Sequence, residues 1–529
     1  MAIPKSTSAI LAVAGLSITG GTPASAASPL FLEPDVTVLY TLTPDAPGGS
    51  FGFVAEAIGD LNGDGVAEFI IGAPQDSAGA PLGGRAFIYS GSDGTRIHTI
   101  AGGFLEFLGS AVAGLGDVDG DGVPDYAVGA PGLPPQFGAW PGRVLVFSGA
   151  DHALIHETVS TPGSRYGQDI HNAGDVTGDG RSDLIVGAPF DDSGGVNAGR
   201  VHLLSGADGT EIWAADGVAA GDSFGGGVSG IGDLNNDGIP EQLVGAFNAG
   251  STQGGEAAVL SGLDGSLLHT LVPLPTAMQF GQFFTHDAGD VDGDGTPDFY
   301  IGDYLDGVQG PGTGRAYVYS GASMEPLWIF DGEHADDGFG IGRGSGDVNG
   351  DGHADLFLAA FRSDDGAANA GKAYLYSGRD GGLMRTFTAT GENDRLGFDA
   401  VPLGDVNSDG IDDFLLTGVD VAHVVAGTDL GLDGRISSLC LLIESIPDAA
   451  FKQPAALRKH ALCDKLSEAA AQIDSGSGAG AVQRLENDIQ AKMDGSLGGT
   501  AEDDWIIDPF WQGFLDPWLD GLIRLAGRN

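Results

Sequence analysis

From about residue 33 the hydrophobic positions fall in short runs, rich in β-branched and aromatic side chains and separated by Gly, Pro and Asp clusters. The first period shows their order: Phe51-Gly52, an acidic stretch, Phe69-Ile-Ile-Gly-Ala-Pro74, Arg85-Ala-Phe-Ile-Tyr-Ser-Gly91, then Ile97-His-Thr-Ile100. Runs of this kind predict strands, four to a period, with the acidic stretch as the hairpin connection between the first two. After Asp429 the spacing changes. Ile436, Leu439, Ile443 and Ile446, then Leu462, Leu466, Ala470 and Ile473, then Val482, Leu485, Ile489 and Met493 each follow a helical stripe. A flexible break is expected at Asp474-Ser-Gly-Ser-Gly-Ala-Gly480, and a fourth, aromatic-rich helix from about Asp516 to Leu525.

The acidic stretch carries the chemistry. Asp60-Leu-Asn62-Gly-Asp64-Gly-Val66-Ala-Glu68 places side-chain oxygens at positions 1, 3, 5 and 9 of a tight loop, and it recurs from Asp117, Asp175, Asp233, Asp290, Asp347 and Asp405, at intervals of 57 or 58 residues. Calcium takes several hard oxygen ligands at roughly 2.3–2.6 Å, and glycine lets the backbone turn sharply enough to present alternate residues to one ion. With the position 7 carbonyl added, the candidate ligand sets are Asp60, Asn62, Asp64, Val66 and Glu68; Asp117, Asp119, Asp121, Val123 and Asp125; Asp175, Thr177, Asp179, Arg181 and Asp183; Asp233, Asn235, Asp237, Ile239 and Glu241; Asp290, Asp292, Asp294, Thr296 and Asp298; Asp347, Asn349, Asp351, His353 and Asp355; and Asp405, Asn407, Asp409, Ile411 and Asp413. Repeats two and five, with four carboxylates each, are expected to bind tightest; Thr177 makes the third weaker. A single copy is equally well read as an Asx-turn, and only the sevenfold recurrence favours metal. An EF-hand is excluded, because Ile71, Val128 and Ile301 stand at the twelfth position and strands flank the loops.

These repeats resemble the FG-GAP family, the seven-bladed propeller of integrin α subunits. The resemblance is carried by Phe51-Gly52 with Gly72-Ala-Pro74, Phe107-Leu-Gly109 with Gly129-Ala-Pro131, and Tyr166-Gly167 with Gly187-Ala-Pro189. Later repeats drift to Gly245-Ala-Phe247, Gly302-Asp-Tyr304 and Ala359-Ala-Phe361. The expected fold is an all-β seven-bladed β-propeller over residues 33–428, followed by a small all-α C-terminal domain over 433–529. The seventh repeat lacks a fourth strand, and Val36-Thr-Val-Leu-Tyr-Thr-Leu42 is expected to supply it and so close the ring. The resemblance implies up to seven bound Ca2+ ions and a ligand face on the rim opposite the acidic loops. Phe104, Phe137 and Trp140 are the candidates there for an apolar contact patch, set against the alternative that they pack on one another.

Composition narrows the partners. A formal net charge of -50 argues against nucleic acid and an anionic membrane surface as partners. Lys5, the apolar run from Ala9 to Ile18 and Ala24-Ser25-Ala26 predict a signal peptide over residues 1–26, hence a secreted or cell-surface protein with an extracellular protein or glycan ligand. No later run is apolar and long enough to span a membrane. Cys440 and Cys463, on the first two predicted helices, are read either as a disulfide or as two buried thiols. His171 and His286 are expected to pack within their blades, and the pairs Asp191-Asp192, Asp336-Asp337 and Asp364-Asp365 to be solvated loop charges. Motifs for zinc peptidases, serine hydrolases and phosphate-binding loops are absent from the sequence, so a calcium-binding adhesion or ligand-binding module, not an enzyme, is the leading expectation. The alternatives are a secreted polymer-acting hydrolase or lyase and a structural cell-surface component.

Overall fold

A computed structural model of the chain describes residues 30–133, 140–475, 477–493 and 505–528. The predicted signal peptide and Phe137 lie outside these residues.

Seven four-stranded antiparallel sheets form the blades of a propeller. Blades 1 to 6 span Val54–Ala101, Ala111–Pro162, Ile170–Asp216, Phe224–Leu271, Thr285–Asp331 and Phe339–Thr388, each a meander of consecutive strands from the inside outward. Blade 7 takes three strands from Asp399–Val425 and its outer strand from Val38–Leu42, which pairs antiparallel with Val421–Val425. The expected closure is therefore present, and no blade is left with an unpaired seam at the start of the ring.

The repeated glycines explain how one blade meets the next. A Cβ on Gly72, in the second strand of blade 1, would come within 2.1 Å of the Gly109 carbonyl oxygen in the loop entering blade 2. The same approach recurs between Gly129 and Gly167 at 2.2 Å and between Gly187 and Gly225 at 2.1 Å. Any larger side chain at either place would push the blades apart. Around these contacts the second strands are buried throughout, and Phe51, Leu108, Tyr166 and Phe280 fill the cores.

Outer strands also latch to the following blade. Tyr40 Oη donates to the Gly91 carbonyl at 2.5 Å, Trp213 Nε1 to that of Gly262 at 2.6 Å, and Trp328 Nε1 to that of Gly378 at 2.7 Å.

The helices are α1 (Leu432–Ser445), α2 (Ala455–Asp474), α3 (Gly478–Arg484) and α4 (Pro509–Arg528). A π-helical stretch, Leu485–Gln490, and a last turn, Ala491–Met493, continue α3. Two boundaries differ from expectation. The break after α2 is shorter, because Gly478 and Gly480 join α3; and α4 begins at Pro509 and runs through Pro517. A proline inside a helix removes one backbone donor. Buried Phe514, Leu515, Trp518, Leu519 and Leu522 nevertheless hold the segment on the core.

These helices sit on the propeller. The outer strand of blade 6, Leu383–Thr388, is wholly buried, whereas its counterpart in blade 4, Leu267–Leu271, is exposed at four of five positions. Gly521 of α4 lies so close that a Cβ would meet the Leu383 carbonyl oxygen at 2.1 Å, and Arg435 of α1 donates to that oxygen at 2.8 Å. Residues 30–35 cover the remaining edge: the Leu32 amide donates to the Thr388 carbonyl at 2.9 Å, and the buried Glu33 carboxylate accepts from the Thr388 amide and hydroxyl at 2.8 Å each. Arg385 Nη1 reaches Asp35 at 2.9 Å and Ser438 Oγ at 3.1 Å, tying strand, lead-in segment and α1 together.

At the closing seam, His423 is buried, 2.9 Å from Thr41 Oγ1, and burial lowers its pKa from 6.5 to about 4. Keeping the imidazole neutral stabilises the fold fully above pH 6.5, and this contribution is lost as pH falls through about 4. His423→Asn should therefore show a shallower fall in urea midpoint between neutral pH and pH 4.5 than the parent chain; identical profiles would refute the assignment.

Candidate functional site

Each acidic hairpin is a nest of carboxylates that accept backbone N–H groups. In the first loop, Asp60 Oδ1 accepts from Gly63 at 2.7 Å and its Oδ2 from Gly65 at 2.9 Å, while Asn62 and Asp64 accept from residues two further along. Gly63 and Gly65 have φ of 77° and 88°, the left-handed region that makes so tight a turn accessible.

The position 9 residues differ from the rest. Glu68, Asp125, Asp183, Glu241, Asp298, Asp355 and Asp413 are all buried at the start of the second strand. Asp125 accepts from the Val118 amide at 2.8 Å and, through its other oxygen, from Gly149 in the outer turn of the same blade at 2.9 Å. Asp298 and Asp355 repeat this bridge to Gly321 and Gly378. Burial pushes these carboxyls upward, Asp298 to about 6 and Asp355 to about 8.

Carboxylate oxygens of Asp117, Asp119 and Asp125 lie within 4.8 Å of one another, as do those of Asp290, Asp292 and Asp294. These belong to the two loops with four carboxylates. Among the described residues no lysine or arginine forms an ion pair with them. Hard oxygen donors held together against their own repulsion fit a divalent cation. In the third loop Thr177 turns its hydroxyl to Asp183.

The position 7 residues have a second use, which the sequence did not suggest. Arg181 Nη1 donates to the Val118 carbonyl of the preceding loop at 2.6 Å, and His353 Nδ1 lies 2.9 Å from the Val291 carbonyl. Pro124 and Pro240, at position 8, pack on Gly59 and Gly174 of the preceding blade. The loops are thus coupled around their rim.

On the opposite rim, Phe104 and Trp140 meet edge to face, with centroids 5.8 Å apart, and are 52% and 37% exposed. They pack on each other and still present apolar surface. The acidic pairs are largely structural. Asp191 is buried, Asp192 and Asp364 accept amide hydrogen bonds within their loops, and Asp365 pairs at 2.7 Å with Lys372, which also holds Glu333 at 2.8 Å. His334 lies beside Asp365 in this cluster, which the sequence reading did not find.

Nor did it find the axis. Glu56, His171, Ser229, His286 and Arg343 each stand four residues before an acidic loop, on the inner strands, and so share one level of the central channel. Arg343 pairs with Glu56 of blade 1 and, at 2.9 Å, with Asp399 of blade 7. His171 and His286, instead of packing within their own blades, meet with ring centroids 5.3 Å apart. Burial pushes Asp169 up to about 7 and lowers both histidines. The equal offset of these polar residues from the loops is the signal that could have revealed them.

Cys440 and Cys463 face each other across α1 and α2 as thiols, with Cys463 Sγ 3.8 Å from the Cys440 carbonyl oxygen.

Blades, hairpins and rims together define a repeat-built, acidic-loop β-propeller. The FG-GAP repeat profile matches residues 53–89 and 167–204, so the propeller carries FG-GAP repeats, and integrin α chains are among its relatives. It is 31% identical to integrin alpha-4 of Xenopus laevis over 175 residues, 30% of this chain and 16% of that protein. To integrin alpha-8 of Gallus gallus it is 31% identical over 213 residues, 37% of this chain and 20% of the relative. Phosphatidylinositol-glycan-specific phospholipase D of Bos taurus is 35% identical over 162 residues, 27% of this chain and 19% of that protein. The chain thus spans a fifth or less of the length of these relatives. No helix among the described residues is long and apolar enough to cross a membrane.

Arg343→Met should leave Glu56 and Asp399 unpaired in the channel and cost about 3–5 kcal/mol in chemical denaturation. A loss within the scatter of surface substitutions would show that the channel cluster contributes little.

Proposed function

We propose that the chain is an exported adhesion or ligand-binding propeller whose acidic hairpins are pinned by calcium and whose ligands bind at the opposite rim. The observation that carries this is the convergence of Asp117, Asp119 and Asp125, and of Asp290, Asp292 and Asp294, with no lysine or arginine ion-paired to these carboxylates among the described residues. The likeness to integrin α chains supports the binding role, and export rests on the sequence of residues 1–26. Calcium here is structural: the loop carboxylates are engaged by backbone amides and by the ion, and calcium acidifies water poorly compared with zinc. The match to a phospholipase D covers 27% of this chain and 19% of that enzyme, which gives the hydrolase reading little support.

Chelation with EDTA should lower the melting temperature sharply and abolish partner binding on a matrix-protein and glycan array. Each filled loop contributes about 2.7 kcal/mol when free calcium is a hundredfold above its Kd. An unchanged melting curve would sink the calcium assignment. Thr177→Asp, which gives the third loop a further carboxylate, should tighten calcium binding there by calorimetric titration; no change would mean that the loop is an Asx-turn alone.

A further inference from the structure

Basic side chains are scarce in this propeller and most are engaged, as Arg85, Arg315 and Arg343 are with buried or half-buried carboxylates. Arg362 and Arg395 are different. Among the described residues neither guanidinium has a carboxylate or carbonyl partner, and both are only half-buried. Arg362 lies in the connection between the second and third strands of blade 6, and Arg395 in the loop entering blade 7, both on the rim opposite the acidic hairpins.

The two belong to one patch. Arg362 stands over the Phe361 ring, 4.5 Å from its centroid; Phe361 meets Phe398 edge-on at 5.2 Å; and Phe398, three residues beyond Arg395, contacts Phe53 of the blade 1 lead-in at 5.5 Å. Burial and the neighbouring Arg362 charge lower the pKa of Arg395. Asp394 does not compensate it, since its carboxylate lies against Gly391. In a chain of net charge -50, two guanidinium groups without a carboxylate partner among the described residues stand out beside half-buried aromatic rings.

We propose that Arg362 and Arg395 receive a single carboxylate from an acidic peptide segment of a protein partner, with Phe398 and Phe53 as the wall for its apolar neighbours. This rests on the rim being the ligand surface. Guanidinium forks match carboxylate geometry, and removal from water strengthens the pairing. A polyanionic glycan fits less well. It would extend over exposed Asp336, Asp364 and Glu392, and repulsion within a Debye length of about 8 Å would oppose it.

The test is saturation-transfer NMR on the calcium-loaded chain with acetyl-Leu-Asp-Leu-amide, its Asn counterpart and heparin fragments, each at millimolar concentration. Transfer to the Asp peptide is expected, weakening with salt and falling at least ~10-fold in R362E/R395E of unchanged melting temperature, with none to the Asn peptide. Should the double variant misfold, R362Q and R395Q are read in its place. The proposal is overturned by absence of transfer to the Asp peptide, by equal transfer to the Asn peptide, by indifference to the substitutions, or by transfer to heparin fragments alone. Array ligands that bind parent and variant alike would remove this inference while leaving the rim reading intact; a positive peptide result with no array ligand would do the reverse.

Discussion

The close approach of backbone to backbone between neighbouring blades is the constraint on which the propeller depends. Where Gly72 meets Gly109, and again at Gly129 with Gly167 and Gly187 with Gly225, no atom beyond the main chain fits, so the two motifs can vary only together. That contact fixes how closely a second strand approaches the loop that enters the next blade. Hydrophobic side chains fill the wider space outward, so the wedge shape of a blade follows from small residues inside and large ones outside.

Much of this was legible in the sequence. Strand runs and the repeat period gave the blades, and Val36 to Leu42 gave the closure, because burial of alternating short runs leaves a local signature. The acidic loops were equally plain, since metal-type spacing is a local property. What escaped was everything made by residues far apart in the chain. Glu56, Asp399 and Arg343 are separated by dozens to hundreds of positions and meet only because a ring brings its first and last blades together. Arg181 and His353 looked like interchangeable occupants of a position whose carbonyl alone mattered, yet their side chains join successive loops. The start of α4 was hidden by Pro517, which reads as a boundary until the packing of Phe514 and Trp518 is seen.

The two rims divide their work by charge. One concentrates carboxylates that accept the backbone amides of their own hairpins and, in the second and fifth loops, gathers them closely together. On the other, several acidic groups cap loops or pair with Lys372, and aromatic rings, Arg362 and Arg395 are among the described groups left without an internal ionic partner. Surface available for recognition is therefore set less by how many polar groups a rim has than by how many remain without an internal partner.

The burial of the outer strand of blade 6 also has a mechanical meaning. Residues 30–35 and helix α4 both bear on Leu383–Thr388, one by strand pairing and the other by close packing at Gly521. Tension applied between these two segments would enter and leave the ring through a single blade. The other six blades would lie outside the load path, and the channel and both rims would keep their shape until that one clasp gave way.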